Sequence, residues 1–200
     1  MSRFTKHTQS LLLVLFALYA LAPVYLVLLA SMRSESDLFN GPLSLPWPIE
    51  TANYVRVWTE SGFSAFFFNS LKISVAVTIL ILLTAPLAGY AFAKMQFRGR
   101  EPLFALFLAG LVVPAPSVIV PLYGNLQFLG LIDTHIGVIL PQAALLMPFP
   151  VFMMRTVMQE VPDELIEAST MDGANPLYGF LTVVVPLARP GLMSLTLIVF

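Results

Sequence analysis

Cysteine is absent from the 200 residues, and charge is scarce, with ten Lys and Arg and eleven Asp and Glu. Without cysteine the chain is no disulfide scaffold. A soluble domain carries about 25% charged residues, and at 10% this chain lacks the side chains to cover a surface facing water. The net charge of −1 provides no field for nucleic acid. There is no heptad or Gly-X-Y period, so coiled coil and collagen are excluded. No GxxxxGK[ST] stretch occurs either, so ATP hydrolysis by this chain itself is not expected. What is present is hydrophobic residues, 58% of the total. That composition places the chain in lipid as an all-α integral membrane protein, because only helices and closed barrels satisfy their backbone there.

A spanning helix needs about 20 residues, and the uncharged runs supply candidates. The first is 11–30, between a basic start (Arg3, Lys6, His7) and Arg33. It exceeds the apolar region of a signal peptide, about 7–15 residues, and is read as an uncleaved span. Residues 32–63 mix charges and prolines with Trp47 and Trp58, the composition of a water-exposed loop with interfacial aromatics. The second span is 66–93, with Lys72 near one end, and a basic loop with Lys94, Arg98 and Arg100 follows. The third is 103–122, broken at its end by Pro114, Pro116 and Pro121; the fourth is 134–154, closed by Arg155. A fifth run, 190–200, covers eleven residues, about 16 Å of helix against a core of about 30 Å. The chain is therefore expected to be a single membrane domain, four full spans plus part of a fifth, truncated at its C-terminus. With the N-terminus inside, seven of the ten Lys and Arg (Arg3, Lys6, Lys94, Arg98, Arg100, Arg155, Arg189) lie on the cytoplasmic side and three (Arg33, Arg56, Lys72) outside. The excess of positive charge inside selects this orientation.

Segment 155–189 then lies in the cytoplasm. Between its terminal arginines it holds five acids and no base. Pro162 suits a first helical position, Asp163 and Glu164 complement the helix dipole, and Gly173 supplies a left-handed stop, predicting a helix of about eleven residues. Helical spacing puts Glu160, Asp163, Glu164 and Glu167 on one face and Val161, Leu165 and Ala168 on another. Helices lying on an anionic leaflet carry Lys and Arg, so this acidic one is expected to dock into a protein groove with cationic edges. Asn175-Pro176 and Pro186 bracket a second short piece.

These residues carry a resemblance. Glu167-Ala168-Ser169, Asp172-Gly173-Ala174, Val185-Pro186-Leu187 and Pro190-Gly191-Leu192 resemble the EAA loop of binding-protein-dependent ABC importer permeases. Leu129 to Thr134 and Asn69-Ser70-Leu71 look like the second permease subunit of the maltose-type carbohydrate branch. Ser169 departs from the Ala of many members, a small-for-small change. The resemblance implies a polytopic helical bundle, usually with six spans, in the bacterial inner membrane. The implied partners are a second permease, two ATPase subunits that hold the ATP, and an extracytoplasmic solute-binding protein. It makes the acidic helix a coupling helix, with Glu164, Glu167, Ala168, Ser169, Asp172, Gly173, Ala174 and Pro186 as the ATPase-docking residues. No catalytic, cofactor or metal residue is implied in this subunit, and the solute is expected to be a sugar or sugar-like molecule.

Other polar residues have blander readings. Asn69, Asn125 and Gln142 suit hydrogen bonds between helices, and His135 an interfacial position, since one other histidine, His7, is present and no acids cluster at metal-ligand spacing. Two alternatives differ in class. An ion-gradient carrier or channel would place ionisable groups within its spans, whereas here Lys72 and His135 alone come near. A non-transporting scaffold would merely recruit a partner through the acidic loop. The orientation is directly testable because the chain has no cysteine: with Glu50→Cys and Arg98→Cys in intact cells, an impermeant thiol reagent is expected to label the first and spare the second. The reverse pattern would invert the topology.

Overall fold

The computed structural model describes residues 3–37 and 45–200, with the side chains of 3–8 and 35 excepted. The stretch 38–44 of the expected outer loop, and the side chains of Arg3, Lys6, His7 and Glu35, lie outside the described residues. No strand occurs among those described. The chain divides into two units, residues 1–68 and 69–200.

In the first unit, α1 (Arg3–Ser31) and α2 (Ala52–Thr59) are connected through the end of α1. The last carbonyls of a helix have no partner within it. Here the Asn53 amide donates to the carbonyls of Ser31 (3.1 Å) and Arg33 (2.8 Å), and the Tyr54 hydroxyl lies 2.6 Å from Ser31 Oγ. Trp58 of α2 packs on Phe63 and Phe67 with ring centroids 5.6 and 5.8 Å apart. The loop expected over 32–63 therefore contains a short helix whose aromatic face hides in a mixed composition.

The second unit holds the rest of α3 (Phe63–Lys94) and the helices α4 (Arg100–Ala109), α5 (Ala115–Phe128), α6 (His135–Leu146), α7 (Pro148–Gln159), α8 (Asp163–Met171) and α9 (Pro176–Gly179). A π-helical turn, Phe180–Val184, leads into α10 (Val185–Leu187) and α11 (Arg189–Val199). Val77, Ile81 and Ala85 of α3 recur every fourth residue and are buried, as are Val151, Met154 and Met158 of α7 and Leu195 of α11. These three helices form the centre of a core that Phe104 of α4, Ala143 of α6 and Phe180 and Val184 of the π turn complete.

Among the described residues two helices are long and apolar enough to cross a membrane, Gln9–Ser31 and Phe63–Lys94, and the count is four if each of the bent pairs His135–Leu146 with Pro148–Gln159 and Pro176–Leu187 with Arg189–Val199 is one span. The expected fourth span is thus α6 and α7, meeting at 50° where Pro148 and Pro150 begin the second helix. The third is interrupted: helix ends at Ala109 and resumes at Ala115, so the break falls just ahead of Pro114, the first of the three prolines expected to break it, while Pro121 lies inside α5. Gly110 faces Pro148 there, where an added Cβ would stand 3.1 Å from the Pro148 ring. Helix α5 continues to a close turn: the Leu131 and Gly130 amides donate to the carbonyls of Leu126 and Gln127, and Thr134 Oγ1 caps α6 by accepting from Gly137.

Glycines set how near the core helices approach. A Cβ on Gly89 of α3 would lie 2.7 Å from Met154 Cβ and 2.8 Å from the Arg155 amide nitrogen of α7; one on Gly191 of α11 would lie 2.7 Å from both methyls of Val157. Beside this crossing the Arg155 guanidinium makes contacts of 2.7 and 2.9 Å with both carboxylate oxygens of Glu101 and stacks 4.0 Å from the Phe104 centroid. The hydrogen bond from Arg155 holds the Glu101 carboxyl below the ordinary glutamate range.

Gly89→Val is expected to destabilise the purified protein by about 1–3 kcal/mol, since α7 backbone must give way, whereas Gly124→Ala, whose Cβ meets nothing within 4 Å, should hold or raise the thermal midpoint. Because folding depresses the Glu101 pKa, its contribution is full above the ordinary glutamate value and is lost as pH falls through the lowered one. Glu101→Gln should therefore flatten the acid limb of midpoint against pH and leave its slope near neutrality alone.

Candidate functional site

Helix α7 ends at Gln159, and the chain turns through Val161, which is buried, and Pro162, whose extended backbone (φ −60°, ψ 133°) caps α8. The helix covers nine residues, two fewer than the spacing predicts, because Pro162 precedes it instead of opening it. Asp163 and Glu164 occupy its first turn, where the positive end of the dipole favours them.

The faces of α8 differ from the expectation. Glu160 caps α7 and is not part of α8. Ile166 and Ser169 are the half-buried residues of α8, while Leu165, 44% exposed, and Ala168 are not packed inward. The reason lies across the contact: a Cβ on Gly179 would stand 3.1 Å from Ser169 Oγ, so a small residue is required on α8 at that point. The Ser169 hydroxyl is satisfied within its own helix by donating to the Ile166 carbonyl at 2.8 Å. The opposite face presents Glu164, Glu167, Ala168 and Met171, spaced i, i+3, i+4 and i+7, and all four are exposed. It is both acidic and apolar, with Met171 87% exposed at its end.

The C-terminus of α8 closes as predicted at Gly173, which takes φ +85°. The Gly173 amide donates to Thr170 O and the Ala174 amide to Ser169 O, both at 3.0 Å, the paired bonds of a Schellman stop. Asp172 and Gly173 are exposed, Ala174 half-buried. The second piece follows: Asn175 Oδ1 accepts from the Tyr178 amide at 2.8 Å, and Pro176 opens α9. Pro186 is half-buried in α10. It has no amide hydrogen and its ring crowds the carbonyl four residues earlier, and next to it the helix widens, with the Val185 amide donating to Phe180 O. An open concavity of about 420 Å³ lies beside the stop, lined by Ser169, Asp172, Gly173, Tyr178 and Thr182 among others.

The structure thus brings Glu164, Glu167 and Ala168 together on one face and Asp172, Gly173 and Ala174 at its end, and puts Ser169 and Pro186 in supporting positions. Among the described residues no cluster of three His or acids is placed to hold a metal. Two participants escaped sequence reasoning. Met171 completes the exposed face, and i+7 spacing from Glu164 was the available signal. Lys94, the last residue of α3, donates to Val161 O and Asp163 Oδ1, both at 2.6 Å; nothing in sequence links positions so far apart.

Residues 81–200 match the family model for the binding-protein-dependent transport system inner membrane component. The diacetylchitobiose uptake system permease of Streptomyces coelicolor is 34% identical over 191 residues, covering 94% of this chain and 63% of that protein. The trehalose transport system permease of Mycobacterium tuberculosis is 32% identical over 182 residues, covering 91% and 66%. The chain thus spans a little under two thirds of the length of these relatives. A solved structure of a bacterial ABC transporter involved in the import of the acidic polysaccharide alginate superposes with a TM-score of 0.85 at 28% identity, over all of this chain and 71% of that one. The chain belongs to the family of binding-protein-dependent transport system inner membrane components.

Proposed function

We propose that this chain is a permease subunit of an ATP-driven importer of carbohydrate solutes, one wall of the translocation pathway, with α8 as the helix that docks on an ATPase. Its N-terminus and α8 lie in the cytoplasm. Its partners are a second permease, two ATPase subunits that carry ATP, and an extracytoplasmic solute-binding protein. The observation that carries the reading is the exposed face of α8, with Glu164, Glu167, Ala168 and Met171 presented on a helix whose other face, Ile166 and Ser169, is packed. A docking helix must transmit force, which requires that it be fixed to the bundle behind and free in front. The relatives named for diacetylchitobiose and trehalose support the carbohydrate class.

In this reading Glu167 meets a cationic group on the ATPase, a charge-assisted contact of about 1.5–3 kcal/mol where water is excluded. Gly173 keeps the stop that ends the face; any other residue at its φ of +85° costs about 1–3 kcal/mol. The test uses the complete importer in proteoliposomes, with labelled diacetylchitobiose and trehalose as probes and recovery of the ATPase with the permease as a second readout. Glu167→Lys and Gly173→Val are expected to lower both uptake and ATPase recovery while permease abundance stays near normal. Glu164→Gln, which removes a charge without reversing it, should do less, and a reciprocal charge change on the ATPase should partly restore Glu167→Lys. Full uptake with an intact ATPase complex in both Glu167→Lys and Gly173→Val would end the docking assignment.

A further inference from the structure

Helix α8 is joined through the backbone to α7 on one side and, by way of α9 and α10, to α11 on the other. Helix α3 lies far from it in sequence, yet its final residue reaches it. The Lys94 ammonium sits 2.6 Å from Asp163 Oδ1, on the first residue of α8, and 2.6 Å from the carbonyl of Val161, just before the Pro162 hinge. The Lys94 side chain is 10% exposed and that of Asp163 71%, so the cation is embedded and the carboxylate comes to it from the surface. An embedded ammonium without partners is costly. Two of its three donors are used here, one on backbone and one on a side chain, which fixes the position of the segment as well as its charge.

The surroundings make this more than a surface pair. Pro162 offers no amide hydrogen and lies between the two acceptors; the Glu160 and Val161 amides close the end of α7 on Val157 O and Met158 O, and Lys94 adds the bonds that tie the turn to α3. One turn back on α3, Gly89 holds the helix against α7, and Tyr90 stacks on Phe180 with centroids 5.1 Å apart. Helix α3 therefore touches both ends of the loop that carries α8. From this geometry we infer that Lys94 is a positioning residue that clamps the entry of α8 to the end of α3, so that a displacement of α8 reaches α3 directly as well as the helices adjoining it in sequence. The inference extends the docking reading to a mechanical partner that lies outside the acidic loop.

The experiment uses the permease in nanodiscs, with any cysteine outside these 200 residues replaced by serine, first alone and then in its assembled importer. Spin labels are placed at Gln96→Cys, beyond the end of α3, and Thr170→Cys, on α8; both positions are exposed. With Lys94 present, the distance distribution between the labels is expected to be narrow, and to stay unchanged when the importer is trapped with ATP and vanadate. Lys94→Met, which keeps the stem and removes the charge, should broaden it in the permease alone and let it shift on trapping. Lys94→Arg should restore it. Asp163→Asn, which leaves the Val161 carbonyl bond in place, should broaden it less, and it serves as the readable variant if Lys94→Met does not fold. A distribution as narrow in both Lys94→Met and Asp163→Asn as with both residues intact would overturn the clamp. Because the comparison in the permease alone needs no ATPase, failure of the docking reading, seen as full uptake and ATPase recovery in both Glu167→Lys and Gly173→Val, is distinguishable from failure of this one.

Discussion

The fold depends on how closely α7 can lie against α3 and α11. Lipid tails are as apolar as the side chains they would replace, so helices in a bilayer gain little from hydrophobicity when they associate and must rely on packing at short range. Gly89 and Gly191 provide that range, each bringing a neighbouring helix so near α7 that a β-carbon would collide. Both lie toward the end of the unit from which α8 projects. The approach that holds the spans together thus also positions Arg155 and Val157 of α7 and, through them, the exit into the acidic loop.

Around that crossing charges are used as fasteners between helices. Glu101 on α4 and Arg155 on α7 form a two-oxygen contact, and Phe104 lies under the guanidinium. Lys94 on α3 holds the start of α8. Exposed ion pairs contribute little. These differ because the basic partner is sheltered in each case, 13% exposed for Arg155 and 10% for Lys94, and because each also contacts a ring or a carbonyl. Each pair joins elements distant in the chain, which suits them to fixing relative position more than to adding stability.

Hydropathy and charge made the helical class, the long spans at α1 and α3, and the acidic loop legible, since each depends on composition over a window. The Gly173 stop was legible too, because one residue type in one context dictates a left-handed turn. The inward face of α8 was not. Spacing groups Val161, Leu165 and Ala168 on one face without saying what it meets; the packed surface is chosen by fit against Gly179, and it selects Ser169 and Ile166. Pro114 marked the break in the third span, but the approach of Gly110 to Pro148 of another helix beside it was not legible. The docking residues were picked by resemblance. The geometry puts Met171 on the same exposed face as Glu164, Glu167 and Ala168 and makes Ser169 a support of the helix instead of part of that face.

The widened turn at Phe180–Val184 follows from the same economy of contacts. A π turn is rarely kept without cause, and here Pro186 removes the amide that would have continued the narrower register. Phe180, at the start of the turn, is buried and stacks on Tyr90 of α3, while Val184 at its end is fully buried. The turn is therefore anchored in protein at its two ends, while Leu181 and Thr182 between them are exposed. Its consequence is mechanical. The path from α8 to α11 bends by 78° at Ala188 and includes a turn off the regular register. The path into α8 from α7 is short and is gripped by Lys94. On the docking reading proposed above, a push on the exposed face of α8 reaches α7 through the chain and α3 through Lys94, the two helices that Gly89 packs without a gap, and reaches α11 through its contact with Val157.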